Sequence, residues 1–597
     1  MPKKNHPFQK FPVLLTLFLA MASTACTKPS PPVGADTPGS PPPSATPPAA
    51  TPTSEAAATP VAEAAATPAG EGDLRAILEA ALATESPEIV LPPGRYRVDP
   101  KNQHHLVLRG LKNRTIIADG VEMICTKNTR ALTVEDCENV TLRGLTIDYD
   151  PLPYTQARIV EISGDARQLK VQVLTGYPPL RATSEKLEIF DPATNRLRGR
   201  ITYYNTRCEP GENGSAILTK TTNTPPEANG ERVGDIAVIS LKPEKGQNPH
   251  AIYASSCKGL VLENVTLFTS NMFGFLENHC TGSTYKNCVV TRRPPETDFV
   301  TRELPRMRSL NADAFHSKNA EKGPQYEGCT AQFMGDDAIA INGDFHFVSH
   351  GEGKIWRVLA KRDMTMHAGD TVQIFTYDGH RISDRRILAI TPAGTVTEEE
   401  RHLLAEQQMD KNLKTTMITD AYDIELDEPE SVPPGTLICS ANRIGNGFGI
   451  RNCRLGFNRS RGILVKAGHG EIRDNHIEGS VMTAILISPE YWWMEAGLSD
   501  DLVISGNRIE QGGGLGIAVV AEGGNRTVAA AGTFQRITVT NNTVVGGAEP
   551  GLLLTSIRGL AESNNSIQPE PGKTIFPWQI GAWGKGGIEP VMRINVE

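Results

Sequence analysis

The chain contains the segment Ala131-Leu-Thr-Val-Glu-Asp-Cys-Glu-Asn-Val-Thr-Leu-Arg-Gly-Leu-Thr-Ile147, and this segment decides the fold because its pattern recurs. Each copy has an apolar-x-apolar run, a few small polar residues and a second short strand. Further copies begin at Leu260, Phe448, Gly470, Asp501 and Arg536. In the clearest run their spacing is roughly 22 to 34 residues, within the period range of solenoids. One copy cannot close a core, but stacked copies share one.

The repeat predicts an all-β fold, a right-handed parallel β-helix with rows of Asn and Cys at its bends. A propeller would need longer repeats with hairpin turns, and a leucine-rich repeat would need ladders of leucine. Two stretches, 151–250 and 344–438, carry strand and turn signals without the repeat. We expect each to be a β-rich, barrel-like insertion beside the helix. Such an insertion either walls a binding cleft or is decoration.

These features divide the chain into segments. We expect a signal peptide at 1–25, a disordered tether at 26–72, an N-terminal cap with the first coils at 73–150, an insertion at 151–250, the catalytic coils at 251–343, an insertion at 344–438, and the C-terminal coils and cap at 439–597. The tether is expected because residues 27–70 hold 12 of the 43 prolines, interleaved with Ala, Thr and Ser. Such a composition offers almost nothing that could fill a core.

The N-terminus has the form of an export signal. Lys3, Lys4 and Lys10 precede the apolar stretch 11–22, which is too short for the roughly 20 residues of a membrane-spanning helix. The sequence Ala22-Ser-Thr-Ala-Cys26 resembles a bacterial lipobox, and that resemblance implies a lipid on Cys26. We therefore expect an exported protein, lipid-anchored in the bacterial outer membrane or periplasm. Simple secretion after cleavage near residue 25 is the alternative.

The composition is that of a globular protein. The 597 residues are 39% hydrophobic and 21% charged, so the chain can bury a sizeable core. Its 60 Lys and Arg against 68 Asp and Glu give a net charge of -8, which argues against a nucleic-acid partner. The cysteines after Cys26 show no CxxC and no zinc-like spacing. We expect them to be small buried hydrophobic residues at one repeating structural position, and we expect neither a metal nor a cofactor.

The strongest candidate for chemistry is a pair of acidic motifs, Asn311-Ala-Asp-Ala-Phe-His316 and Gly335-Asp-Asp-Ala-Ile-Ala-Ile-Asn-Gly343. Asp336 follows Asp313 by 23 residues, close to one coil, and neighbouring strands lie about 4.8 Å apart. Asp313, Asp336 and Asp337 are therefore expected to lie together. Like charges that close raise at least one pKa, which gives the proton donor beside ionised partners that glycoside hydrolysis requires. A calcium site, as in pectate lyases, and solvated turn residues are the alternatives.

Two glycoside hydrolase families resemble these motifs. Asn-x-Asp and Gly-Asp-Asp one coil apart resemble the polygalacturonases of family 28, as does Gly462-Ile-Leu-Val-Lys466. The fuller resemblance is to glycoside hydrolase family 110, the bacterial α-1,3-galactosidases. It covers Ile147-Asp-Tyr-Asp-Pro-Leu-Pro-Tyr-Thr-Gln156, Asp313-Ala-Phe-His316, Gly335-Asp-Asp-Ala-Ile-Ala-Ile-Asn-Gly343, Asn458-Arg-Ser-Arg-Gly-Ile-Leu-Val465 and Tyr491-Trp-Trp-Met-Glu-Ala-Gly497.

The resemblance implies an inverting exo-hydrolase that removes terminal α-1,3-linked galactose from an oligosaccharide or polysaccharide. By similarity to family 28, Asp336 would be the general acid, while Asp313 and Asp337 would hold and activate the water. The protein would contact the membrane only through the lipid anchor. The sequence leaves open whether the chain forms a homo-oligomer. One alternative is a polygalacturonase-like hydrolase of acidic polysaccharide, in which Lys466 and Arg461 bind the uronate. Another is a non-catalytic β-helix that binds glycans.

Seven further residues are predicted to bind substrate. They are His316, Asn342, Arg461, Lys466, Trp492, Trp493 and Glu495. Of the two tryptophans, one is expected to stack on a sugar and the other to point into the core, since neighbours in a strand face opposite ways. For Glu495 and His316 a purely structural role is the alternative, and basic residues on a coil surface are by default solvated.

Overall fold

A computed structural model of the protein describes residues 70–182, 184–199, 202–221, 230–243, 249–573 and 588–597. The predicted signal peptide, Cys26 and all but the last residues of the tether lie outside these ranges. Within them, no helix is long and apolar enough to cross a membrane. The first element is the helix Leu74–Leu82, which is capped by the Asp73 side chain and buries Leu74 and Leu78 over the first coil.

The strands that follow form the predicted parallel β-helix, which has three faces. Face A contains Gly94–Val98, Val121–Cys125, Thr146–Tyr149, Thr266–Leu267, Val289–Val290, Thr330–Gln332, Arg454–Gly456, His476–Glu478, Arg508–Gln511, Thr543–Gly546 and Ser566–Gln568. Face B contains His104–Arg109, Arg130–Glu135, Ile252–Ser255, Phe275–Asn278, Phe315–Lys318, Ile339–Asp344, Ile463–Val465, Ile485–Ile487, Ile517–Val519, the first part of Leu552–Ser563, and Val591–Val596. Face C contains Glu88–Val90, Lys112–Ile117, Glu138–Arg143, Val261–Glu263, Thr284–Lys286, Gln325–Glu327, Gly449–Arg451, Glu471–Arg473, Leu502–Ser505, Phe534–Thr540 and the last part of Leu552–Ser563. Each coil runs from face A to face B to face C.

The register of face B explains both the core and the site. Phe275, Phe315 and Ile339 are paired across adjacent coils and are fully buried inside the helix. Successive side chains of a strand point to opposite sides. The next residues along these strands, among them His316 and Ala340, are likewise paired and lie on the outer side of face B. The outer side of face B is therefore the surface on which the motif residues gather.

Rows of Cys and Asn occupy the bends, but the cysteines form two rows. The first row, between faces B and C, is Cys137, Cys257 and Cys280. The second, between faces C and A, is Cys288, Cys329 and Cys453, continued by Asn475, Asn507, Asn542 and Asn565. The Asn side chains donate to one another at 2.9–3.0 Å. The prediction that the cysteines share one repeating position is wrong, because both kinds of bend leave room for a small buried side chain. All described cysteines are buried and free.

The first insertion is a closed barrel between a face A strand and a face B strand. Its strands are Tyr154–Ile162, Gln168–Val173, Ser184–Asp191, Arg196–Leu197, Tyr203–Pro210, Ser215–Thr219 and Ile236–Ser240, with a 3₁₀ turn at Glu212–Gly214. The ring closes because Ser184–Asp191 pairs with Ile236–Ser240. The barrel has its own apolar core, which includes Ile159, Leu187 and Leu218. We call it the first barrel.

The second insertion is another closed barrel, between a face B strand and a face C strand. Its strands are His346–Lys361, Thr371–Phe375, Arg381–Thr395, Ile418–Val432 and Leu437–Ser440, with a helix at Glu398–Glu406 and a π-helical turn at Leu413–Met417. Trp356 is fully buried in its core. A 3₁₀ turn at Pro295–Thr297 completes the described helical elements. Because the first barrel leaves the helix between faces A and B and the second between faces B and C, they flank the outer side of face B, and we call this flanked surface the groove.

Candidate functional site

The three predicted catalytic aspartates lie together in this groove. Asp313 precedes the face B strand Phe315–Lys318, and Asp336 and Asp337 precede the next strand, Ile339–Asp344. Carboxylate oxygens of the three lie within 4.8 Å of one another. The side chains of Asp313 and Asp337 are 7% and 5% exposed, whereas that of Asp336 is 30% exposed. Asp336 is thus the carboxylate that most nearly faces the open groove.

Asp313 is held by its own coil and by the next one. Its Oδ2 lies 2.6 Å from Nδ1 of His316, and its Oδ1 accepts a hydrogen bond from the backbone N–H of Asp337 at 3.2 Å. The His316 side chain is buried, and its Nε2 has no hydrogen-bond partner among the described residues. That nitrogen is therefore available to a sugar hydroxyl, in keeping with the predicted binding role.

Two arginines from the following coil contact the other two aspartates. Arg459 donates to Oδ1 of Asp336 at 2.6 Å and to the carbonyl of Gly335 at 2.6 Å. Arg461 donates its backbone N–H to Oδ1 of Asp337 at 2.7 Å, and its guanidinium lies 3.3 Å from Oδ2. Arg461 was predicted as a substrate-binding residue, whereas Arg459 was not singled out, although it stands in the quoted Asn458-Arg-Ser-Arg segment.

These contacts give the aspartates different proton affinities. Burial, helped by the negative charges of Asp336 and Glu495, raises the pKa of Asp313 well above its usual range. Burial also raises the pKa of Asp337 to about 7, against the opposing charge of Arg461. Burial acts in the same sense on Asp336, but the surrounding cations, led by Arg459, outweigh it and hold the pKa of Asp336 below its usual value. The cluster therefore retains a proton near neutral pH.

His316 is neutral in this environment. Burial lowers the pKa of His316 to about 4, so at neutral pH its ring carries one N–H and no charge. The positive charges at the aspartates come instead from Arg459 and Arg461. A calcium ion bound by these carboxylates would lie beside the two guanidinium groups that already contact them.

A second charged group adjoins the aspartates through Arg461, which contacts both Asp337 and Glu490. Lys466 is fully buried, and its Nζ lies 3.0 Å from Glu490 and 2.9 Å from Glu495. Glu490 also accepts a hydrogen bond from the guanidinium of Arg461. Burial opposes the charge of Glu495, yet Lys466 and neighbouring lysines hold the pKa of Glu495 well below its usual range. Both basic residues predicted to bind a uronate are thus already paired with glutamates.

The second barrel is tied to the same wall of the groove. Asp344, at the end of its face B strand, lies 3.2 Å from Nζ of Lys318 and 2.8 Å from Nζ of Lys361, a residue of the second barrel. Lys361 also donates to the carbonyl of Met494 at 2.9 Å. Asn342 lies beside this cluster, in register with Lys318 on face B, and is completely buried. Its Oδ1 has no hydrogen-bond partner among the described residues.

The two tryptophans lie at the surface. Trp492 and Trp493 are 49% and 47% exposed, with their rings perpendicular and 6.5 Å apart. The expectation that one of them points into the core is wrong, because residues 491–494 form a turn rather than a strand. Tyr491 and Met494 are instead the buried side chains of this turn. Both rings are accessible to a ligand.

Fold and groove together define a parallel β-helix with an acidic cluster on one face. A family model described as "Right handed beta helix region" matches residues 435–567, which agrees with the predicted handedness. The chain is similar to "Alpha-1,3-galactosidase B" of Bacteroides thetaiotaomicron, with 23% identity over 435 residues, 69% of this chain and 65% of that protein. It is also similar to "Alpha-1,3-galactosidase A" of the same organism, with 22% identity over 437 residues, 68% of this chain and 69% of that protein. The resemblance that the motifs indicated is therefore confirmed.

Solved structures show similar chains at low identity. The endo-xylogalacturonan hydrolase from Aspergillus tubingensis has a TM-score of 0.39 and 9% identity, covering 85% of this chain and 94% of that one. The A-module of the Azotobacter vinelandii mannuronan C-5 epimerase AlgE6 has a TM-score of 0.32 and 11% identity, covering 85% of this chain and 95% of that one. The chain spans 65% of the length of the first galactosidase relative.

Proposed function

We propose that this protein is an exo-acting, inverting glycoside hydrolase that removes terminal α-1,3-linked galactose from glycans. The observation that carries the proposal is the cluster of Asp313, Asp336 and Asp337 within 4.8 Å, which retains a proton beside an ionised carboxylate. Hydrolysis of a glycosidic bond needs both forms. The two similar proteins named α-1,3-galactosidases support the choice of sugar and linkage.

The charges of the groove favour a neutral sugar over a uronate. A galacturonate carboxylate would need a cation free to bind it. Lys466 lies between Glu490 and Glu495, and Arg461 lies between Glu490 and Asp337. A uronate would have to displace a glutamate or stand beside it at a cost in repulsion. The polygalacturonase-like alternative is for this reason the weaker one.

In this proposal Asp336 protonates the leaving group, while Asp313 and Asp337 hold the water. Asp336 is the most exposed of the three carboxylates, so it is the one a glycosidic oxygen can approach. In the free protein Arg459 keeps Asp336 ionised, and the retained proton resides on the other two. Because the three groups are coupled, the proton belongs to the cluster. A bound sugar that excludes water would raise the pKa of Asp336 and draw the proton to it.

The stereochemical part of the proposal needs its own test. Inverting enzymes commonly hold acid and base about 6.5–9.5 Å apart to admit a water, whereas the oxygens of this cluster lie within 4.8 Å. The proposal therefore requires the water to sit to one side of the cluster, against Asp313 and Asp337. A retaining mechanism would instead release galactose in its original α form.

Substrate class is tested by incubating the protein with α-1,3-galactobiose or with oligogalacturonate and following reducing sugar. Asp336→Asn serves as the control for contaminating activity. The proposal expects release of galactose that the substitution abolishes. Turnover of oligogalacturonate but not of α-1,3-galactobiose would replace the proposal with the polygalacturonase-like alternative. Binding of galactobiose without turnover at any pH would favour a non-catalytic glycan-binding β-helix.

A further inference from the structure

The first barrel contributes one buried lysine to the catalytic turns. Nζ of Lys186, on the strand Ser184–Asp191, donates to the carbonyl of Asn311 at 2.8 Å and to that of Gly335 at 2.6 Å. Its third neighbour is the carboxylate of Glu188, 3.2 Å away. Two N–H bonds of the ammonium group thus donate to backbone carbonyls, and its charge is paired with the Glu188 carboxylate. The two carbonyls belong to the turns that carry Asp313 and Asp336.

Glycine at position 335 makes this contact feasible. A Cβ on Gly335 would lie 2.4 Å from Nζ of Lys186 and 2.8 Å from the carbonyl oxygen of Asn311. No side chain fits there unless both the lysine and the Asn311 carbonyl move. The first residue of the Gly-Asp-Asp motif therefore leaves the space that Lys186 occupies.

The lysine is part of a closed buried network between the barrel and the β-helix. Glu188 is 1% exposed, and its second oxygen lies 2.7 Å from the guanidinium of Arg308. Arg308 donates to Oγ of Ser240 at 3.0 Å, and Ser240 donates to Oδ1 of Asn311 at 2.9 Å. Hydrogen bonds between buried polar groups fix the relative geometry of those groups. The carbonyl of Gly335 also accepts from Arg459, which joins the network to Asp336.

We propose that Lys186 is a positioning residue, through which the first barrel sets the distance between the two turns that carry the catalytic aspartates. It touches no substrate atom and acts only through the carbonyls of Asn311 and Gly335. The inference rests on the proposed function of the aspartate cluster. It makes the first barrel a working part of the site rather than decoration.

The test compares Lys186→Met and Lys186→Gln with wild type on α-1,3-galactobiose. A misplacement on the order of 1 Å costs roughly 100-fold in rate, so we expect kcat of Lys186→Met to fall about 100-fold while KM stays within about threefold. Lys186→Gln retains a donor without the charge and should recover part of this loss. Gly335→Ala, which attacks the same contact from the other side, should match Lys186→Met. Lys170→Met, an exposed lysine of the same barrel, should equal wild type.

Hydrogen–deuterium exchange provides a readout that does not need turnover. In Lys186→Met, amides of 309–316 and 333–340 should exchange at least tenfold faster, with strands 154–162 and 346–361 unchanged. Faster exchange throughout the first barrel, with KM and kcat impaired together, would mean a merely structural lysine and overturn the inference. A Lys186→Met variant with wild-type kcat and unchanged exchange would also overturn the inference. If wild type cleaves no galactoside, the proposed function fails, and exchange alone decides whether Lys186 orders the two turns.

Discussion

The crowding of aspartates in the groove should destabilise the folded protein above neutral pH, and Asp337→Asn should relieve this. Asp337 is buried, with a folded-state pKa of about 7 against an unfolded value near 3.9. A raised pKa favours the protonated folded form, so its stabilisation is complete below pH 4 and lost as pH rises through 7. A shift of about three pKa units is on the order of 4 kcal/mol. Asparagine cannot ionise, so Asp337→Asn loses no free energy of unfolding at this position as pH rises from 4 through 7.

The assay is thermal unfolding of wild type and Asp337→Asn between pH 4 and pH 8. For the roughly 500 residues that the structure describes, 1 kcal/mol moves Tm by on the order of 1 °C. The Tm of Asp337→Asn minus that of wild type should therefore rise by about 4 °C across the range. Whatever fixed cost the substitution carries cancels in this comparison. Activity of the variant should be lost throughout.

Asp344→Asn is the matched control. Asp344 is buried as well, but Lys318 and Lys361 overcome the effect of burial and hold its pKa well below the usual range. Its stabilising contribution is present above the unfolded pKa and is lost only as pH falls below it. The control should thus be less stable than wild type by a constant amount from pH 5 to pH 8. A difference for Asp337→Asn that stays flat or falls with pH would refute the electrostatic account of the cluster.

Three further outcomes are expected. Asp336→Asn should lower the hydrolysis rate roughly 100- to 10,000-fold and should recover most of it on a substrate with an activated leaving group such as dinitrophenolate, because such a group needs no proton. Asp313→Asn should not recover in this way. Equal recovery of the two variants would exchange the roles of Asp336 and Asp313. Glu490→Gln should improve inhibition by oligogalacturonate about tenfold, since it removes one anionic partner from Lys466; inhibition constants measure this, and no change would contradict the charge argument. Cys26→Ala should abolish incorporation of labelled fatty acid into the protein in cells; label retained in the variant would exclude lipidation at that residue.

The coils and the aspartate cluster could be predicted from sequence because both depend on a local period. Asp313 and Asp336 are one repeat apart, and parallel stacking turns that sequence spacing into proximity. The same local reasoning predicted two barrel-like insertions at 151–250 and 344–438. It placed the cysteines in one row because the two kinds of bend look alike in sequence.

The rest of the site depends on contacts between distant segments. Lys186 reaches Asn311 and Gly335 from 125 and 149 residues away, and no periodic pattern records the docking of an inserted barrel. Lys466 meets Glu495 across 29 residues, but only because the connection after Ile485–Ile487 folds back over face B. The period of the repeat does not predict the course of such a connection. The sequence therefore left open whether Lys466 binds a uronate, and the structure pairs it with glutamates.

The proposed function requires the three aspartates to perform inverting hydrolysis of a neutral α-galactoside. It is tested most directly by time-resolved proton NMR of the protein with α-1,3-galactobiose, beside Asp336→Asn. β-Galactose should appear first and then mutarotate, and the variant should release none. Initial release of α-galactose would contradict inversion, and unchanged turnover by the variant would contradict the assignment of the aspartates.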